Sequence, residues 1–219
     1  LQQVFRRHVS HRDGFYSERA GRLTTADHQD PAVEMIRRIG AEEQGNIASM
    51  IEELNPMAVE AAAEIIASSP RVRVYGARQS ASIAGFMAYA LGMLRNDAAL
   101  LESQHQGVAH GLAQLDKGDL LVLIGSAPYT RATAAAARVA AGQGIRLIAF
   151  TDSLASPLAV SADYTFITPT AGSFFSNCMA SSAVLVEVLL SAVARRLERQ
   201  AVAALNHHEA LIEALDIQF

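Results

Sequence analysis

Four polar stretches carry the side chains with the greatest chemical reach, and each lies beside an apolar run. The first, Gly76-Ala77-Arg78-Gln79-Ser80, offers a guanidinium, an amide and a hydroxyl. The second, "GSAPYTRAT" at 125–133, offers Ser126, Tyr129, Thr130, Arg131 and Thr133. The third, "TDSLASP" at 151–157, offers Asp152, Ser153 and Ser156, and "TAGSFFSN" at 170–177 adds Ser173 and Ser176. His105, in "ESQHQG", is a further candidate. Hydroxyls at a helix start, with free first-turn amides and arginine nearby, suit one task above others. They hold a small anion through directed N–H and O–H bonds, and arginine can grip a phosphate or carboxylate with two of them. Plainer roles compete: Ser80 and Thr130 also suit helix caps, and Asp152 also suits loop amides.

Other chemistries are poorly supplied. Neither G-x-G-x-x-G nor a P-loop G-K-[ST] occurs, so no nucleotide cofactor is expected. Cys178 is the single cysteine, which excludes an intrachain disulfide and a multi-cysteine zinc site. His105 and His110 lack an accompanying carboxylate set, and His207 and His208 are adjacent on a helix pattern and so point apart. No metal site is expected. Proton abstraction needs a base beside the substrate carbon, and only Glu102, Asp152 and His105 come near the loops. No catalytic residue is assigned.

The elements that must position these loops are legible as a change of rhythm. Residues 1–9, "LQQVFRRHV", read as the end of an amphipathic helix, and the stretch up to Pro31 reads as a linker without period. A helix follows, with Asp30 as cap, Pro31 in its first turn and apolar residues from Val33 to Leu54 at helical spacing. Asn55 and Pro56 open a second helix. From residue 71 short apolar strands ("RVRVYG", "DAALLE", "DLLVLIG", "IRLIAFTD", "YTFITP") alternate with helices (80–94, 107–115, 130–144, 156–162, 174–200). A last helix is expected over 201–217. Alternation of this kind requires crossover connections and a parallel sheet. The fold class is therefore α/β: a three-layer α/β/α sandwich around a five-stranded parallel sheet, preceded by two helices. The polar loops open at the carboxyl edge of that sheet, where such folds bind ligands.

Bulk properties agree. Of 219 residues 51% are hydrophobic and 18% charged, a globular composition. No apolar run reaches the ~18 residues of a membrane span, so no membrane partner and a cytoplasmic location are expected. Five arginines against two carboxylates give residues 1–25 a net +3, leaving −7 on the rest of a chain whose net charge is −4. A basic leader on an acidic body fits either a polyanion partner near the N-terminus or an ordinary solvated helix and linker.

The ordered set "VYGARQSASIA", "DLLVLIGSAPYTRAT", "GIRLIAFTDSLASPLAVSADYTF" and the long helix after "FFSN" resembles a SIS domain, the sugar-isomerase-type phosphosugar-binding fold. Residues 1–197 as a whole resemble the C-terminal part of a bacterial transcriptional regulator of the RpiR/MurR type. The resemblance implies that 1–30 are the end of a missing N-terminal helix-turn-helix domain plus linker, and 31–219 a SIS effector-binding domain with flanking helices. It implies a non-enzymatic sensor of a phosphosugar, sugar acid or similar anion, at least dimeric, that reaches DNA through the missing domain. A phosphosugar isomerase and a ligand-free structural module are the alternatives. The departures are informative. Arg78 stands where the resembled loop G-x-G-x-S has its second glycine. In 125–132 two serines, a glycine and a glutamate of the phosphosugar loop S-x-S-G-x-T-x-E are absent, and Pro128 has no N–H to donate.

Overall fold

Alternating strand residues must bury on both sheet faces, and the chain meets that demand with two separate cores. The computed structural model describes residues 16–24, 31–102 and 106–217. Segment 1–9, Asp30 and His105 lie outside the described residues. Among the described residues the strands are preceded by α1 (Tyr16–Thr24), α2 (Ala32–Glu53) and α3 (Pro56–Ser68). Then follow β1 (Val72–Gly76), α4 (Ser80–Leu94), β2 (Ala98–Leu100), α5 (Val108–Ala113), β3 (Leu120–Ile124), α6 (Arg131–Gly142), β4 (Arg146–Thr151), β5 (Tyr164–Ile167), α7 (Ala180–Leu197) and α8 (Arg199–Ala214). All strand pairs are parallel, in the order β2-β1-β3-β4-β5. The predicted α/β class and five-stranded sheet are what the chain forms.

Val72, Val74, Val122, Ile148 and Phe150 bury on one face, against Ile66, Met87, Leu91, Leu185 and Leu189 from α3, α4 and α7. Their neighbours Tyr75, Leu121, Leu123, Leu147 and Ala149 bury on the other face. There Leu112 of α5 and the alanines 136, 137 and 140 of α6 cover them. This is the pattern of strands enclosed on both sides. Asn55 caps α3 by accepting from the Met57 amide at 2.9 Å, with Pro56 in the first turn, as predicted. The far end of α3 is held by Arg95. Its guanidinium donates to the carbonyls of Ile66, Ala67, Ser69 (2.5 Å) and Pro70 (2.9 Å).

Several expectations need correction. The supposed linker contains α1, whose nine residues are steadied by long-range bonds from Arg19 rather than by an apolar core. Pro31 is the N-cap residue of α2, not part of its first turn. The 156–162 helix shrinks to a 3-10 turn at Ala159–Ser161, because hydroxyls of Ser153 and Ser156 bond locally to the amides of Ala155 and Leu158. The 174–200 helix starts only at Ala180, since residues before it are drawn into a polar loop. It stops at Glu198, whose φ of 47° turns the chain into α8. The apolar stripe of α3 packs on α7 through Val59, Ala62, Ala63 and Ile66. Val33 and Ile36 of α2 and Val202 and Leu211 of α8 remain exposed.

Candidate functional site

Strand order reverses between β1 and β3, and a crevice opens there at the carboxyl edge. Register pairs Gly76 with Ile124, so the loops after β1 and β3 leave the sheet side by side. Their residues Arg78, Gln79, Ser80, Ser126, Tyr129, Thr130 and Thr133 line one cleft, together with Pro128, Leu158, Asn177 and Tyr16. Seven of the sequence-predicted residues thus come together. Arg131, Asp152, Ser153, Ser156, Ser173 and Ser176 do not line it, and His105 lies outside the described residues.

Each wall has a local cause. Gly76 lets the chain turn tightly: a Cβ there would stand 2.5 Å from the Ser80 carbonyl oxygen. Arg78 adopts φ 58°, the left-handed region that glycine favours and that most side chains avoid. The site therefore keeps a glycine-like backbone while presenting a guanidinium. Ser80 is the first residue of α4 and caps nothing; Gln79 holds the N-cap position in an α-helical conformation. Thr130 does cap α6, accepting from the Thr133 amide at 3.2 Å and sharing a 2.6 Å hydrogen bond with the Thr133 hydroxyl. The amides at the start of α6 point outward from the helix end, as at any helix N-terminus.

Asp152 works from behind the cleft. It accepts from the Tyr129 hydroxyl at 2.7 Å, the Ala127 amide at 3.3 Å and the Thr151 hydroxyl at 3.3 Å. Burial first, and the neighbouring Asp152 carboxylate second, push the Tyr129 hydroxyl well above the ordinary phenol range. Tyr129 therefore shows the cleft its ring and keeps its proton inside a buried network. Ala127–Pro128 is a cis peptide.

Sequence reading missed Asn177. Its side-chain amide donates to the Ala127 carbonyl at 2.8 Å, and its own carbonyl accepts from Gln79 at 2.8 Å. Gln79 Oε1 also accepts from the Ser176 hydroxyl at 2.6 Å and the Asn177 amide at 3.3 Å. Three loops are thereby stitched together on one side of the cleft. The loop before α7 is also anchored to α2. Glu42 accepts from the Ser173 amide and hydroxyl, and Glu43 from the amides of Met179 and Ala180 at the start of α7. Burial, then Glu43, pushes the neighbouring Cys178 thiol up to about 11. Tyr16 was missed too. Its ring lies 5.3 Å from the Arg78 guanidinium carbon, and Arg19 donates to the Ser176 carbonyl at 2.9 Å and to Asn177 Oδ1 at 3.3 Å.

Among the described residues no cluster of His, Cys, Asp and Glu could hold a metal ion, and no helix is long and apolar enough to cross a membrane.

Residues 65–194 match the SIS domain. A solved structure with the same fold is the sugar isomerase domain of an RpiR transcription factor from Sphaerobacter thermophilus. It is 29% identical, with a TM-score of 0.75 over 80% of this chain and 97% of that one. The Vibrio vulnificus NanR protein complexed with ManNAc-6P superposes with a TM-score of 0.73 at 17% identity, covering 92% of this chain and 76% of its own. E. coli CFT073 c3406, also solved as a complex, gives 0.69 at 19% identity, over 81% and 97%. At those identities the last two show the shared fold alone. No curated protein matches the chain.

Proposed function

Because the chain belongs to the SIS domain family, we propose that it senses a small anionic sugar derivative in the β1–β3 cleft, without turning it over, as the effector domain of a transcriptional regulator. One observation carries the non-catalytic half of this reading. Among the described residues lining the cleft there is no aspartate, glutamate or histidine. Isomerisation needs such a base beside the carbon that loses its proton. Asp152, the nearest carboxylate in sequence terms, is committed to Tyr129 and Ala127. What the cleft does offer is a positive side chain, hydroxyls and a helix N-terminus, which together suit a phosphate or carboxylate group. The regulatory half is supported by the likeness to the RpiR transcription factor domain and by the basic stretch of residues 1–25. DNA is then met through a domain preceding this one.

Calorimetric titration with sugar phosphates, sugar acids and small carboxylates tests the site. Arg78→Ala should weaken the best binder by about 10- to 100-fold, the loss of a charge-assisted hydrogen bond of ~1.5–3 kcal/mol. Thr130→Ala, which removes the α6 cap, should weaken it by a smaller factor. Unchanged affinity in both variants places the site elsewhere, and turnover of a sugar phosphate by the purified chain makes it an isomerase.

The reading includes a homo-oligomer, at least a dimer. The exposed apolar residues of α2 and α8 are its support, since a stripe of this kind needs a partner surface. Light scattering at micromolar concentration should give a mass at least twice that of one chain. A strictly monomeric mass removes the pairing of DNA-binding domains that a two-fold operator requires.

A further inference from the structure

Part of the cleft wall comes from a segment outside the SIS-matched span. Residues 65–194 match the family, whereas Tyr16 and Arg19 belong to α1. Tyr16 lines the cleft and stacks on Arg78 at 5.3 Å. Arg19 fastens the same helix to the rim at Ser176 and Asn177, the residues that join the loops. With α1 seated, the cleft has about 20 Å³ of free space. That is room for little more than a water molecule. Arg78 adds a second sign. It sits in a left-handed conformation that is unfavourable for a non-glycine residue, and its guanidinium lies over the Tyr16 ring. Strain retained at a ligand cleft marks a side chain that the site uses.

We infer that α1 is a built-in competitor of the effector: Tyr16 and the anionic sugar derivative claim Arg78 and the space beside it, so effector entry and α1 docking exclude one another. The inference rests on the sensing function proposed above. Its physical content is linkage. A ligand that binds only the open cleft shifts the population toward undocked α1 in proportion to its preference for that state. Undocking frees the chain at Tyr16 to change direction relative to the sheet, which turns occupancy of the cleft into movement of whatever precedes it. Tyr16 is in this sense a positioning residue of the effector response, acting through Arg78.

The test uses the whole chain with ManNAc-6P, gluconate and inorganic phosphate as probes. Tyr16→Ala should bind the tightest probe roughly fivefold or more tightly than the native chain, within the usual span of coupling between sites. Tyr16→Phe, which keeps the ring, should behave as native. Amide hydrogen exchange over residues 16–24 should quicken severalfold when that probe saturates the native chain, and also in Arg78→Ala with no probe present. Equal or weaker binding by Tyr16→Ala overturns the inference while leaving the sensing function intact. Native exchange rates over 16–24 in Arg78→Ala overturn it as well, whether or not any probe binds. Binding that appears only in Tyr16→Ala supports it. No binding by either chain overturns the sensing reading and this inference with it.

Discussion

Gly76→Ala is expected to lower stability by about 3 kcal/mol, at the top of the usual range for overpacking. The added Cβ would stand 2.5 Å from the carbonyl oxygen and 2.8 Å from the carbonyl carbon of Ser80, and 3.2 Å from the carbonyl oxygen of Ile124. All three are backbone atoms, so no side-chain rotation relieves the clash. Ser80 begins α4 and Ile124 ends β3, so the clash falls where the helix is fixed against the sheet. Gly85, inside α4, is the control: nothing lies within 4 Å of a Cβ there. Gly85→Ala should be stabilising by about 0.5–1 kcal/mol, as for a glycine in a helix interior. Urea unfolding of both variants measures the contrast. A loss at Gly76 no larger than the gain at Gly85 would mean that α4 slides without penalty.

Arg95→Ala is expected to remove about 2–3 kcal/mol. The guanidinium donates to four carbonyls from Ile66 to Pro70, including those left unpaired at the end of α3. Hydrogen bonds to a charged group carry ~1.5–3 kcal/mol when intact, and a cation at a helix C-terminus adds to them. Part of that is recovered when water replaces the side chain, which keeps the net figure well below the sum. Desolvation lowers the Arg95 pKa from its ordinary value, while Asp97 raises it. Arg95→Lys should fall between native and Arg95→Ala, because an ammonium keeps the charge but cannot span four acceptors. Thermal and urea unfolding check the order. Equal stability of the alanine and lysine variants would assign the whole effect to geometry rather than charge.

The sheet was readable because its demands are written in periodicity. "LLVLI" and "RLIAFT" carry apolar residues at every or nearly every position, and only strands covered on both faces require that. Asn55-Pro56 was readable because a cap and a first-turn proline act locally. The candidate site was readable as loops, since polar runs at strand ends have few other places to be. Its wiring was not. Asn177 sits in an apolar run that reads as helix, and its value comes from Ala127 and Gln79, 50 and 98 residues away. Asp152 looked like a cleft residue but is drawn to Tyr129, a pairing that no local spacing signals. Ser80 looked like a cap, yet the helical backbone of Gln79 already occupies the cap position. Tyr16 stands in a stretch without apolar period, and its place is set by a cation–π contact and by Arg19 rather than by burial.

The stitching around Asn177 has a consequence for how the cleft fluctuates. Gln79, Ala127, Ser176 and Asn177 come from three loops, yet each bond between them depends on Gln79 or Asn177 being in place. When one residue releases, the others lose partners, and a half-satisfied polar network is less stable than its parts suggest. The rim should therefore behave as a single cooperative unit that opens rarely and wholly, not as three independent loops that flicker. A ligand arriving at the cleft would meet either a shut rim or an open one, and its apparent affinity would be set by the fraction of molecules whose rim stands open.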